Sequence, residues 1–126
     1  MLNIVELISQ VVEEVNTFKE ETFDSINKTY GEKMEKVTET EKELSEVSQK
    51  YAGKSKTFIE KKRKQLTDKI EKLSKQANEW FEERKKEATE QFEDMLKSKK
   101  ESVQQAVDDE NEQNQKSVDL VNQITK

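Results

Sequence analysis

An eleven-residue repeat runs through most of this chain and constrains its fold more than any other feature. Stepping by eleven from Ile4 gives Val15, Ile26, Val37, Ser48, Ile59, Ile70, Phe81, Phe92 and Val103. Every member but Ser48 is apolar, although only 30% of the chain is hydrophobic. A second column lies nine places further on. It runs from Glu13 through Asp24, Glu35, Glu46, Thr57, Asp68, Glu79, Glu90 and Glu101 to Glu112, and is acidic everywhere but Thr57. Eleven residues make three helical turns at ~3.67 residues per turn, close to the ~3.6 of an α-helix. Two columns held in phase therefore describe long amphipathic helix, apolar on one side and charged on the rest.

Composition supports this reading once the pattern is known. The chain is 40% charged, with two Gly and no Pro, Cys or His among 126 residues. A chain this polar stays disordered when its apolar residues are scattered; with regular helical spacing it reads as long helix or coiled coil. The expected fold is all-α: long amphipathic helices with a hendecad repeat, paired as an antiparallel hairpin and completed by oligomerisation. A stripe of this kind covers a thin seam rather than a thick core.

The unit Ser48–Phe58 loses both columns, and it contains Gly53. Gly suits the left-handed residue that follows a helix. Thr57 with Glu60 matches a capping box that opens the next one. These features predict helix over about 2–52, a turn over 53–57 and helix over about 58–106, with one uninterrupted helix as the alternative. Gly31 falls on the polar face of an intact unit, so the helix is expected to continue through it. The polar stretch 107–116, with Asp108-Asp109-Glu110, predicts fraying or a second turn before a short helix over 117–125.

Charge favours folding at that turn. Residues 1–53 carry net −6, residues 54–100 net +5 and residues 101–126 net −4. A hairpin lays the acidic arm along the basic arm, whereas a parallel pair of chains would set like charges together. With the turn centred on residue 55, Tyr51 meets Ile59, Leu44 meets Leu66, Val37 meets Leu73 and Tyr30 meets Trp80. Phe18 likewise meets Phe92, Val15 meets Met95 and Leu7 meets Val103. The full expected seam is Ile4, Ile8, Val11, Val15, Phe18, Ile26, Tyr30, Val37 and Leu44 on the first helix. On the second it is Ile59, Leu66, Ile70, Leu73, Ala77, Trp80, Phe81, Phe92, Met95 and Val103. The widest apolar face is Leu2 to Val15, read either as packing on the chain's own C-terminal segment or as a docking end.

Catalysis has little to work with. Without His or Cys the usual general base, thiol nucleophile and imidazole or thiolate metal ligands are missing. Glu13-Glu14, Glu82-Glu83 and Asp108-Asp109-Glu110 belong to solvated columns. No catalytic, cofactor or metal residue is therefore expected, and no enzyme activity. The runs Lys61-Lys62-Arg63-Lys64, Arg84-Lys85-Lys86 and Lys97-Ser98-Lys99-Lys100 are flanked by acids in a chain of pI about 5.0. They are read as complementing the acidic arm, so nucleic acid is disfavoured as a partner. Trp80, Phe81 and Phe92 read as core packing. The N-terminus has no basic leader and no apolar run approaches the ~20 residues of a membrane span. The expectation is a soluble, intracellular protein.

The unit Ile70-Glu71-Lys72-Leu73-Ser74-Lys75-Gln76-Ala77-Asn78-Glu79-Trp80 resembles the repeats of apolipoprotein-type, droplet-coat and desiccation-related helical proteins. As a pattern over residues 4–113 it also resembles the right-handed stalk helices of rotary ATPases. The seam carries bulky aromatics where stalk and desiccation repeats carry Ala. The N-terminal apolar face is bordered by Glu6, Glu13 and Glu14, which gain nothing from anionic lipid. The expected function is a non-enzymatic, elongated coiled-coil assembly or tethering module. Its expected partner is itself, as a dimer or higher, or another helical protein. The alternatives are an amphipathic protein that coats a lipid or granule surface, and a stalk-like subunit of a larger complex.

Overall fold

The computed structural model describes residues 3–125. Among them 94% are helical and none is in a strand. The elements are α1 (Ile4–Ser45), a single turn α2 (Val47–Lys50) and α3 (Lys56–Thr125). The chain divides into two compact units. One is Thr22–Ala88, called here the turn unit; the other, the terminal unit, joins Met1–Glu21 to Thr89–Lys126.

The two long helices, α1 and α3, start where a side chain accepts free amides of the first turn. Asn3 Oδ1 accepts from the Val5 and Glu6 amides at 3.1 and 3.3 Å. Ser55 Oγ accepts from the Phe58 amide at 3.2 Å. Such caps contribute about 1 kcal/mol each. Thr57, expected to be the cap, is instead in the first turn of α3. Gly53 adopts φ 89°, and only Lys54 and Ser55 remain before the helix begins, so Ser55 takes the capping place. Glu60 pairs with Lys56 at 3.9 Å rather than closing a capping box.

The first arm also ends earlier than the pattern predicts. At Glu46 the amide is shared between the Lys42 and Glu43 carbonyls, both at 3.2 Å. That tightening interrupts the helix and advances its inward face. Val47 becomes the most buried side chain at 1% exposure, one place ahead of the Ser48 that the repeat puts there.

The stretch 107–116 is not a break. α3 runs through it to Thr125. It contains no Gly or Pro, and pairs four residues apart bridge it. Gln104 donates to Asp108 at 3.0 Å and Gln105 to Asp109 at 2.9 Å. Lys116 pairs with Glu112 at 3.7 Å. Spacing of four places such groups on one face.

In the turn unit α1 and α3 run side by side in opposite directions. Tyr30 stacks on Phe81 with ring centres 4.3 Å apart, and its hydroxyl donates to Asn78 Oδ1 at 2.8 Å. Arg63 donates to Ser48 Oγ. Tyr51 meets Phe58 edge-on at 5.3 Å. Trp80, expected opposite Tyr30, lies instead under Lys33 at 5.2 Å. The observed register is one residue from the expected one: Tyr30–Phe81 and Ser48–Arg63 mirror about a point between residues 55 and 56. Ile26, Val37, Thr40, Val47, Ala77 and Ala88 are buried here. The one polar member, Thr40, satisfies its hydroxyl locally by donating to the Lys36 carbonyl at 2.8 Å.

The terminal unit pairs the same two helices within itself. Lys99 meets Glu14 at 2.5 Å and Lys19 lies over the Phe92 ring at 5.5 Å. Val15 is its buried residue.

Candidate interaction surfaces

Of the expected seam, Val15, Ile26, Val37 and Ala77 are buried. Ile4, Val11, Phe18, Tyr30, Leu44, Ile59, Leu66, Ile70, Leu73, Trp80, Phe81, Phe92, Met95 and Val103 are half-buried. Ile8 departs from the expectation and is 44% exposed. Val47, Thr40 and Ala88 are buried without having been assigned to the seam. Ala88 occupies the same place in its unit as Ala77 does in the preceding one, so the repeat contained the signal for it. Thr40 sits in an inward place of its unit but is polar. Val47 follows from the tightened turn at Glu46, which spacing alone does not show.

The first candidate surface is apolar and belongs to the terminal unit. Val5, Ile8 and Val12 are 72%, 44% and 52% exposed. Spacings of three, four and seven put them on one side of α1. One neighbouring helix covers only part of a four-column stripe; Leu7 and Val11 are half-buried while the adjoining column is open. The expectation that the C-terminal segment covers this face is not met: Val118, Leu120 and Ile124 are themselves more than half exposed. A continuous α3 accounts for this, because without a second turn the segment does not fold back. Leu2, expected to belong to the same face, lies outside the described residues.

The second surface is basic and belongs to the turn unit. Residues 50–64 contain seven basic residues and one acidic one. The ammonium groups gather around two rings. Lys50 and Lys62 lie 5.6 and 5.8 Å from the centre of Tyr51, and Lys54 and Lys62 lie 5.7 and 5.6 Å from that of Phe58. Beside them a groove is lined by Tyr51, Lys62, Gln65, Leu66 and Lys69. Of the expected pairing of basic arm with acidic arm, Lys99–Glu14 is present in the terminal unit. Lys56–Glu60, Lys75–Glu79 and Arg84–Glu87 are pairs within α3. Their exposed positions make each worth well under ~1 kcal/mol.

Among the described residues no group of acidic side chains is arranged to hold a metal ion. No described helix is long and apolar enough to cross a membrane. Compared with known proteins, the chain matches no family model, and no similarity to a curated protein or a solved structure is found.

Proposed function

We propose that the chain is a non-enzymatic structural or interaction protein, a coiled-coil assembly or tethering module that associates with a second copy of itself. The observation that carries this reading is the uncovered apolar face of α1 at Val5, Ile8 and Val12. Apolar surface of this kind marks an interface more often than it stays in water. Two further features support it. Val15, Ile26 and Val37 on α1, and Ala77 and Ala88 on α3, are buried at steps of eleven, the spacing of a hendecad seam. The sequence also offers neither His nor Cys for the commonest catalytic roles.

Light scattering combined with circular dichroism tests the reading. At tens of micromolar in plain buffer the chain should have a mass of at least two copies and a helical spectrum that vesicles leave unchanged. A monomer of 14.8 kDa that gains helix on adding vesicles would transfer the apolar face to a lipid or granule surface.

A further inference from the structure

The basic surface around the turn has no role in the apolar association proposed above, and the fold does not account for it. Residues 50–64 hold six Lys, one Arg and a single acid, Glu60. Glu60 pairs with Lys56, and Arg63 donates to Ser48 Oγ. Lys50, Lys54, Lys61 and Lys64 are exposed, and among the described residues no carboxylate pairs with them. The first turn of α3 carries no acid, although the positive end of a helix favours acids over cations. Cations crowded there repel one another and the helix end, so they lower the stability of the turn rather than raise it.

We propose that the turn docks end-on against an anionic lipid surface. Lys61, Lys62, Arg63 and Lys64 take successive steps of about 100° around α3, so they ring the helix instead of lining one face. With Lys56 they lie within about 12 Å of its start, close to the ~10 Å reach of charge at ~0.1 M salt. Lys50 and Lys54 precede them across the turn. A ring of charge at a helix end faces a broad surface met end-on. A strand of nucleic acid instead follows a groove of cations and stacks its bases on open rings. Here Tyr51 and Phe58 are half-buried against each other, with Lys50, Lys54 and Lys62 over them. Lys prevails over Arg, which suits a diffuse field more than bidentate contacts with single phosphates. Each such cation near an anionic bilayer strengthens binding about fivefold. The helices are already formed, so docking leaves helix content unchanged. The contact uses turn-unit residues alone and does not depend on self-association.

Co-sedimentation of the full chain with vesicles of mixed phosphatidylserine and phosphatidylcholine, and of phosphatidylcholine alone, tests this. At ~0.1 M NaCl the chain should bind the mixed vesicles and not the neutral ones, and ~0.5 M NaCl should release it. Lys54→Gln with Lys61→Gln and Lys64→Gln should weaken binding about a hundredfold, with mass and helical signal in buffer unchanged. Lys54→Arg with Lys61→Arg and Lys64→Arg should bind like the unmodified chain. The same charge change elsewhere on α3, Lys75→Gln with Lys86→Gln and Lys97→Gln, should weaken binding less than about fivefold. No binding to mixed vesicles, or equal losses in the two Gln triples, would overturn the docking. Binding that survives ~0.5 M NaCl and the turn substitutions, with a gain of helix, would overturn it and move the lipid contact to Val5, Ile8 and Val12. Tighter binding to single-stranded nucleic acid, lost in the turn variant, would assign the turn to that ligand and refute the docking. Mass in buffer reads self-association separately: a monomer that still binds mixed vesicles through the turn supports the docking and sinks only the apolar association.

Discussion

The turn unit and the terminal unit are built from the same two helices and the same repeat, yet they bury their apolar residues to different extents. The turn unit encloses Ile26, Val37, Val47, Ala77 and Ala88. It adds the Tyr30–Phe81 stack and the Tyr51–Phe58 contact. The terminal unit holds the widest run of apolar residues in the chain but buries Val15 and leaves Val5, Ile8 and Val12 in water. Apolar content alone does not make a core. In the turn unit Ala77 and Ala88 of α3 are buried, and two aromatic pairs add to the contact. Toward the termini the stripe is wider than one facing helix can cover. The first unit encloses most of the buried residues, and the second leaves open the apolar face proposed to meet a second copy.

The largest expected effect separates the two units with one kind of truncation. Val37→Ala removes two buried methyl groups and should lower stability by about 2 kcal/mol in thermal or denaturant unfolding. Val12→Ala should change it by less than ~0.5 kcal/mol under conditions where the chain is a monomer, and should weaken self-association instead. Equal losses of monomer stability would erase the distinction between the units.

The two glycines sharpen the same comparison along the chain. Gly53 has φ 89° in the turn, a conformation that a Cβ strains whatever the space around it. Gly31 lies within α1 with no atom within 4 Å of where a Cβ would stand. Gly53→Ala should therefore cost about 1 kcal/mol, and Gly31→Ala should gain up to about 1 kcal/mol. Same-sign changes in melting temperature would contradict the placement of the turn. The smallest effect is the ion pair in the terminal unit. Lys99 and Glu14 are 2.5 Å apart but their side chains are 35% and 53% exposed. A double-mutant cycle should return no more than ~0.5 kcal/mol, decreasing with salt.

Much of this was legible in the sequence. Period and composition indicated an all-helical chain, and Gly53 with the failed repeat unit located the turn. What escaped has physical causes. Ser55 outcompeted Thr57 as cap because the left-handed Gly53 ends the turn sooner. Val47 replaced Ser48 because a shared amide at Glu46 tightens the helix. Residues 107–116 looked like a break because they are acidic and polar, but spacing of four lets Gln–Asp and Lys–Glu pairs support a helix there. The basic run 61–64 was assigned to the opposite arm on net charge. Net charge over an arm does not say where each cation points: Arg63 reaches Ser48 on the first arm, while Lys62 lies over the rings of Tyr51 and Phe58.

The central claim is that the terminal unit is completed by a partner copy while the turn unit is complete alone. Amide hydrogen exchange over a dilution series tests it most directly. Local opening sets protection, and association adds to it by mass action. The account predicts that amides of residues 5–14 gain protection in step with the mass of the chain as concentration rises, while those around Val37 and Ala77 stay constant. Protection of residues 5–14 that ignores concentration over the range where mass changes, or that already matches the turn unit in the monomer, would contradict it.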